Sequence, residues 1–139
     1  KTGICKELSI PAEVEKLPEL LSFLEQQLEE AGCPMKTQMQ ISVAAEEIFV
    51  NIADYAYSPG NGMAIVRMQI SDAPPTAIIT FIDSGKPYDP LEKEDPDITL
   101  SAEQREIGGL GIFMVRKTMD DVRYEYRDGQ NLLTLVKNL

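Results

Sequence analysis

Apolar and polar positions change period several times along the chain, and those changes divide it into elements. Residues 4–10 alternate, with Ile4, Lys6, Leu8 and Ile10 on one side and Cys5, Glu7 and Ser9 on the other; this predicts a short strand that Pro11 stops. From about Ala12 to Ala31, Val14, Leu17, Leu20, Leu21, Leu24 and Leu28 recur at helical spacing. A first helix is expected there, bent in its first turns by Pro18 and capped at its C-terminus by Gly32. A second helix is expected over about residues 36–57, with Ile41, Ala45, Ile48 and Ile52 on one face and Ser58-Pro59-Gly60-Asn61-Gly62 ending it. Strands over residues 63–70 and 76–82 follow, turned by Asp72-Ala73-Pro74-Pro75.

The pattern then breaks. From Ser84 to Ile107 no apolar period is sustained, and Pro87, Pro90 and Pro96 interrupt a run rich in acids. A loop of this length inside a compact domain is often a functional lid. Gly108-Gly109-Leu110-Gly111 closes it and leads into a short helix with Ile112, Phe113, Val115 and Met119. Residues 121–127 and 131–137 read as a closing hairpin turned by Asp128-Gly129. Helices and strands segregate rather than alternate. The expected fold is therefore α+β: a two-layer sandwich with helices on one face of a mainly antiparallel, mixed sheet, in a single domain over residues 1–139.

Composition narrows the chemistry. Histidine is absent, so a Ser-His-Asp triad, a Cys-His dyad and a phosphohistidine acceptor are impossible within this chain. The two cysteines, Cys5 and Cys33, form no CxxC pair and read as reduced thiols. The net charge of −10 opposes nucleic acid and anionic membranes. A polyphosphate would have to be bound through backbone N–H groups, a metal ion and local cations, against that field. No apolar run reaches the roughly 18–20 residues of a membrane span, and no secretory leader is evident, so a cytoplasmic location is expected.

Three motifs could carry chemistry. Glu47 and Asn51 lie four residues apart on the second helix, at the rim of its buried face. A carboxylate there can take a proton and an amide oxygen can ligate a hard cation, although an ordinary polar helix edge reads the same way. Asp83-Ser84-Gly85 ends a β-branched strand, so its carboxylate could accept from an exocyclic amine, or it is simply an Asx turn. The glycines at 108, 109 and 111 open a helix, where a phosphate cradle and a flexible hinge are both possible. Neither the Walker pattern nor the dinucleotide fingerprint is present.

Taken in order, EEIFVNIADYAY, FIDSGKPYDP, GGLGIFMV and NLLTLVKNL resemble the boxes of the GHKL, or Bergerat-fold, ATPases, and in particular their anti-sigma-factor serine/threonine kinase branch. The resemblance spans nearly the whole chain. It implies that Glu47 is a general base, Asn51 a ligand of Mg²⁺, and Asp83 the acceptor for the adenine amine of ATP. It implies that Gly85 lets the base lie close, that Gly109 and Gly111 give N–H groups to phosphates, and that Gly108 hinges an ATP lid over residues 86–107. Thr134 would support Asp83. The implied activity is phosphorylation of a small anti-anti-sigma (STAS-type) partner and sequestration of a sigma factor, by a homodimer. The alternative is an ATP-dependent binding switch without turnover. An ATP domain of a histidine kinase would need its dimerisation helices and acceptor histidine from another chain. One departure is Tyr55, which stands where this branch usually has histidine. Lys86 and Arg105 are candidate phosphate cations without an assigned role.

Overall fold

The computed structural model describes residues 5–57, 60–72, 74–92 and 109–139. Strand β1 (Cys5–Pro11) is followed by a 3₁₀ turn (Val14–Lys16) and helix α1 (Leu17–Glu30). Helix α2 (Met35–Asn51) runs on into a π-helical turn (Ile52–Ala56). Strands β2 (Met63–Asp72) and β3 (Pro75–Asp83), a 3₁₀ turn (Pro90–Glu92), helix α3 (Gly109–Thr118), β4 (Asp121–Arg127) and β5 (Gln130–Asn138) complete it.

The strands form one sheet in the order β1-β2-β3-β5-β4, and every pairing among the described residues is antiparallel. Register follows from pleat. Ala64, Val66, Met68 and Ile70 of β2, Ala77, Ile79 and Phe81 of β3, and Leu133 and Leu135 of β5 are all buried on one face. Against them pack Leu20, Leu24 and Leu28 of α1, Ile41, Ala45, Ile48 and Phe49 of α2, and Ile112 and Val115 of α3. The spacing of those residues, three and four apart, is what places all three helices on one side. The last hairpin closes through Asp128 and Gly129, both at positive φ, as a two-residue turn requires.

Two helix boundaries differ from expectation, and proline accounts for one. The first helix starts at Leu17, not near Ala12, with Pro18 in its opening positions. Pro18 lacks an N–H that the first turn would leave unbonded anyway, so it begins the helix and does not bend it. At the other end Cys33 N–H donates to the Leu28 carbonyl (3.0 Å) and Gly32 N–H to Glu29 (3.0 Å), the paired bonds of a Schellman cap. The second helix stays α-helical only to Asn51, then widens to π. Of the expected lid, residues 86–92 are described; Arg105 and Gly108 lie outside the described residues.

Candidate functional site

The site begins where β3 ends. Asp83 is only 5% exposed, on the helix-facing side of the sheet, beside Asn131 of β5, itself 5% exposed. Asp83 Oδ1 accepts the Gly85 N–H (2.9 Å) and the Asn131 Nδ2–H (2.9 Å). Asn131 Nδ2 also donates to the Lys86 carbonyl (2.9 Å), while its Oδ1 accepts the Tyr88 N–H (3.1 Å) and the Tyr124 hydroxyl. Burial, first, and the nearby carboxylates of Asp89 and Asp83 hold the Tyr124 phenol above its usual range, opposed by the Tyr88 N–H. These groups border a cavity of about 30 Å³ that Asn51, Ile52, Phe81, Pro90 and Leu133 also line.

Asn51, the last α-helical residue of α2, lies on that cavity, one turn after Ile48, which also lines it. The π turn that follows carries the backbone to β3. The Ala56 carbonyl accepts the Lys86 N–H at 3.0 Å, and a Cβ on Gly85 would stand 2.2 Å from the same oxygen. Only glycine permits that approach. Tyr57 fastens the turn further: its hydroxyl donates to the Met63 carbonyl (2.6 Å) and accepts the Ser84 N–H (2.8 Å).

One helical turn before Asn51 is Glu47. Its carboxylate lies against Gly111 of α3 so closely that a Cβ there would meet Glu47 Cδ and Oε1 at 2.3 Å. Both residues line a groove of about 570 Å³ between α2 and α3, with Met39, Val43, Glu46 and Met114. A helix N-terminus presents unbonded N–H groups, and α3 starts at Gly109, beside this groove. The site is thus a line: Asp83 at a small cavity, Asn51 on its wall, then Glu47 facing the glycine-rich start of α3.

Five residues singled out in the sequence therefore fall into two groups, Asn51, Asp83 and Gly85 at the small cavity and Glu47 and Gly111 in the groove, with Gly109 opening the neighbouring helix. Thr134 does not join them. It pairs with Thr80, their hydroxyl oxygens 3.4 Å apart, on the opposite face of the sheet from Asp83. The residue that meets Asp83 across β3 and β5 is Asn131, which the sequence reading missed. Its signal was a polar residue in the inward row Asn131-Leu133-Leu135. Tyr55, in place of the usual histidine, is 44% exposed and its ring centroid lies 5.8 Å from that of Tyr88. Lys86 is exposed, and its backbone joins the network.

The residues present fit a nucleotide better than a protein-bound metal. Among the described residues no three Asp, Glu, Cys or His side chains cluster to hold an ion. A cation here would take one amide oxygen, from Asn51, and its other ligands from a phosphate-bearing ligand and water. The missing side chain at Gly111 lets the Glu47 carboxylate lie directly against the α3 backbone.

Comparison with known proteins bears on the family and the fold. The family model for the histidine kinase-like ATPase domain matches residues 10–137. The serine/threonine-protein kinase BtrW of Bordetella bronchiseptica is 28% identical over 103 residues, 74% of this chain and 72% of that protein. The structure of the RsbU and RsbW domains of a Mycobacterium tuberculosis protein superposes with a TM-score of 0.71 at 16% identity, over 98% of this chain and 32% of that one. The histidine kinase domain of a blue-light activated kinase from Erythrobacter litoralis gives 0.55 at 15%, over 94% of this chain and 62% of that one. The chain thus spans about a third of the Mycobacterium chain, and these two likenesses speak to fold.

Proposed function

The chain belongs to the histidine kinase-like ATPase domain family, and from that premise we propose that it is an anti-sigma-type protein serine/threonine kinase. It transfers the γ-phosphate of ATP to a serine or threonine of a small anti-anti-sigma, STAS-type partner, and it also holds a sigma factor. The observation that carries this reading is the line from Asp83 through Asn51 to Glu47 and Gly111. It has an acceptor for an amine at one end and a base facing a glycine-rich helix start at the other. The name of the BtrW relative supports the kinase activity.

In this reading Asp83 accepts the adenine amine, and Gly85 keeps the loop tight enough against Ala56 to define that end. Gly109 and Gly111 offer backbone N–H groups to the phosphates, and Gly108 serves as the hinge of the lid. The Asn51 amide oxygen would help to hold Mg²⁺, which when bound would supply neutralisation of phosphate charge. Glu47 takes the proton of the acceptor hydroxyl as its oxygen bonds to the γ-phosphorus. The bond from that phosphorus to the bridging oxygen breaks, and ADP leaves with the electron pair. The working protein is a cytoplasmic homodimer; none of the described helices is long and apolar enough to cross a membrane.

Calorimetric titration of MgATP into the wild type and Asp83→Asn tests the site; binding by the wild type, lost or much weakened in the variant, is expected. Transfer from γ-labelled ATP to a purified STAS-type partner tests the chemistry. Glu47→Ala is expected to slow transfer by about 100-fold or more, with partner binding retained. Transfer by Glu47→Ala at the wild-type rate would remove the base. A wild type that binds ATP and the partner yet transfers nothing is instead a non-catalytic ATP-dependent switch.

A further inference from the structure

We propose that Asn131 is a positioning residue that sets the base selectivity of the nucleotide site. The inference rests on the reading of Asp83 as the acceptor for a nucleobase amine. It starts from the orientation of one carboxamide. The Tyr88 N–H can only donate and the Lys86 carbonyl can only accept, so the atoms of Asn131 that face them must be oxygen and nitrogen respectively. The two remaining valences are then fixed: the second N–H points at Asp83 Oδ1 (2.9 Å) and the second lone pair takes the Tyr124 hydroxyl. All four hydrogen-bonding positions of a buried amide are filled, so it cannot flip without leaving groups unpaired.

The effect falls on Asp83. Among the described residues the two donors that reach it, Gly85 N–H and Asn131 Nδ2–H, converge on Oδ1. That pins the carboxylate plane and leaves Oδ2 as the acceptor for a ligand. An acceptor held this way favours an exocyclic amine and disfavours a keto oxygen at the same position, which is the difference between adenine and guanine. The same amide grips the backbone at residues 86 and 88, so the base-reading carboxylate and the chain that leaves β3 share one support. The titratable groups around it are Asp83 of β3, Tyr88 and Asp89 of the following loop, and Tyr124 and Tyr126 of β4; α2 contributes Asn51, which does not titrate.

The test is calorimetric titration of ATP and of GTP, each with Mg²⁺, into wild type, Asn131→Asp and Asn131→Ala between pH 5.5 and 8. Asn131→Asp is nearly isosteric but sets a second carboxylate against Oδ1. The wild type is expected to prefer ATP over GTP by at least about tenfold, with a flat pH profile. Asn131→Asp is expected to bind ATP at least about tenfold more weakly at pH 8, and to recover at pH 5.5 as the facing carboxylates share a proton. Asn131→Ala, which buries no extra charge and serves if the first variant does not fold, is expected to narrow the ATP-to-GTP ratio by several-fold without a pH trend. A folded Asn131→Ala with the wild-type ratio, or a folded Asn131→Asp with wild-type affinity and a flat profile, overturns the proposal while leaving the nucleotide site intact. A wild type that binds no ATP overturns the nucleotide reading itself, and this proposal with it.

Discussion

One absent side chain decides how close α3 comes to the proposed base. With Gly111 replaced by alanine, the new Cβ would have to lie 2.3 Å from Glu47 Cδ, so either the carboxylate turns away or the helices part. The groove is open on that side, so the cost is expected in function more than in folding. Gly111→Ala should slow phosphoryl transfer by about 10- to 100-fold with a thermal midpoint close to wild type, as misplacement of a reacting group does. Radiolabel transfer and a thermal melt measured on the same preparation check this. At this scale the sequence was partly legible. Glu47 and Asn51 were visible by helical spacing, and Asp83 and the glycines by their place after a strand and before a helix. Asn131 was not, because a motif read as a string does not say which residue of one strand lies opposite which residue of another. Thr134 was implied only by the family resemblance, and a three-residue offset from Asn131 turns it to the other face of the sheet.

Elements were easier to locate than to bound. Apolar period placed the three helices and five strands among the described residues, since burial of one face is what their residues must achieve. Boundaries turned on backbone chemistry that period does not encode: Pro18 opening α1, and the change from α to π after Asn51. That change falls beside the candidate site. It gives α2 its last residue on the cavity wall and then brings the Ala56 carbonyl to the Lys86 N–H. Stability of the layer behind it rests on packing. Leu24, in the middle of α1, has no exposed surface and belongs to the single core. Leu24→Ala is expected to cost about 2–5 kcal/mol. Urea unfolding followed by circular dichroism would show it as a lower midpoint at unchanged slope.

The molecule as a whole is acidic, and the two concavities of the candidate site differ sharply in size. A net charge of −10 works against a polyphosphate, so specific groups must supply what the global field withholds. The groove by Glu47, about 570 Å³, has ample room for phosphates and an acceptor side chain. The cavity by Asp83, about 30 Å³, has room for roughly one water molecule and not for a purine. Tyr88, Pro90 and Tyr124 form part of its wall. The consequence is kinetic. If the base end must open before a nucleobase can enter, association has a unimolecular step ahead of capture. The observed rate with a fluorescent ATP analogue in stopped flow should then level off as its concentration rises, at the opening rate of the protein. A rate that climbs linearly throughout would mean that the narrow end yields on contact and sets no limit. In the first case the protein, and not the supply of ATP, paces how quickly the site can be reloaded.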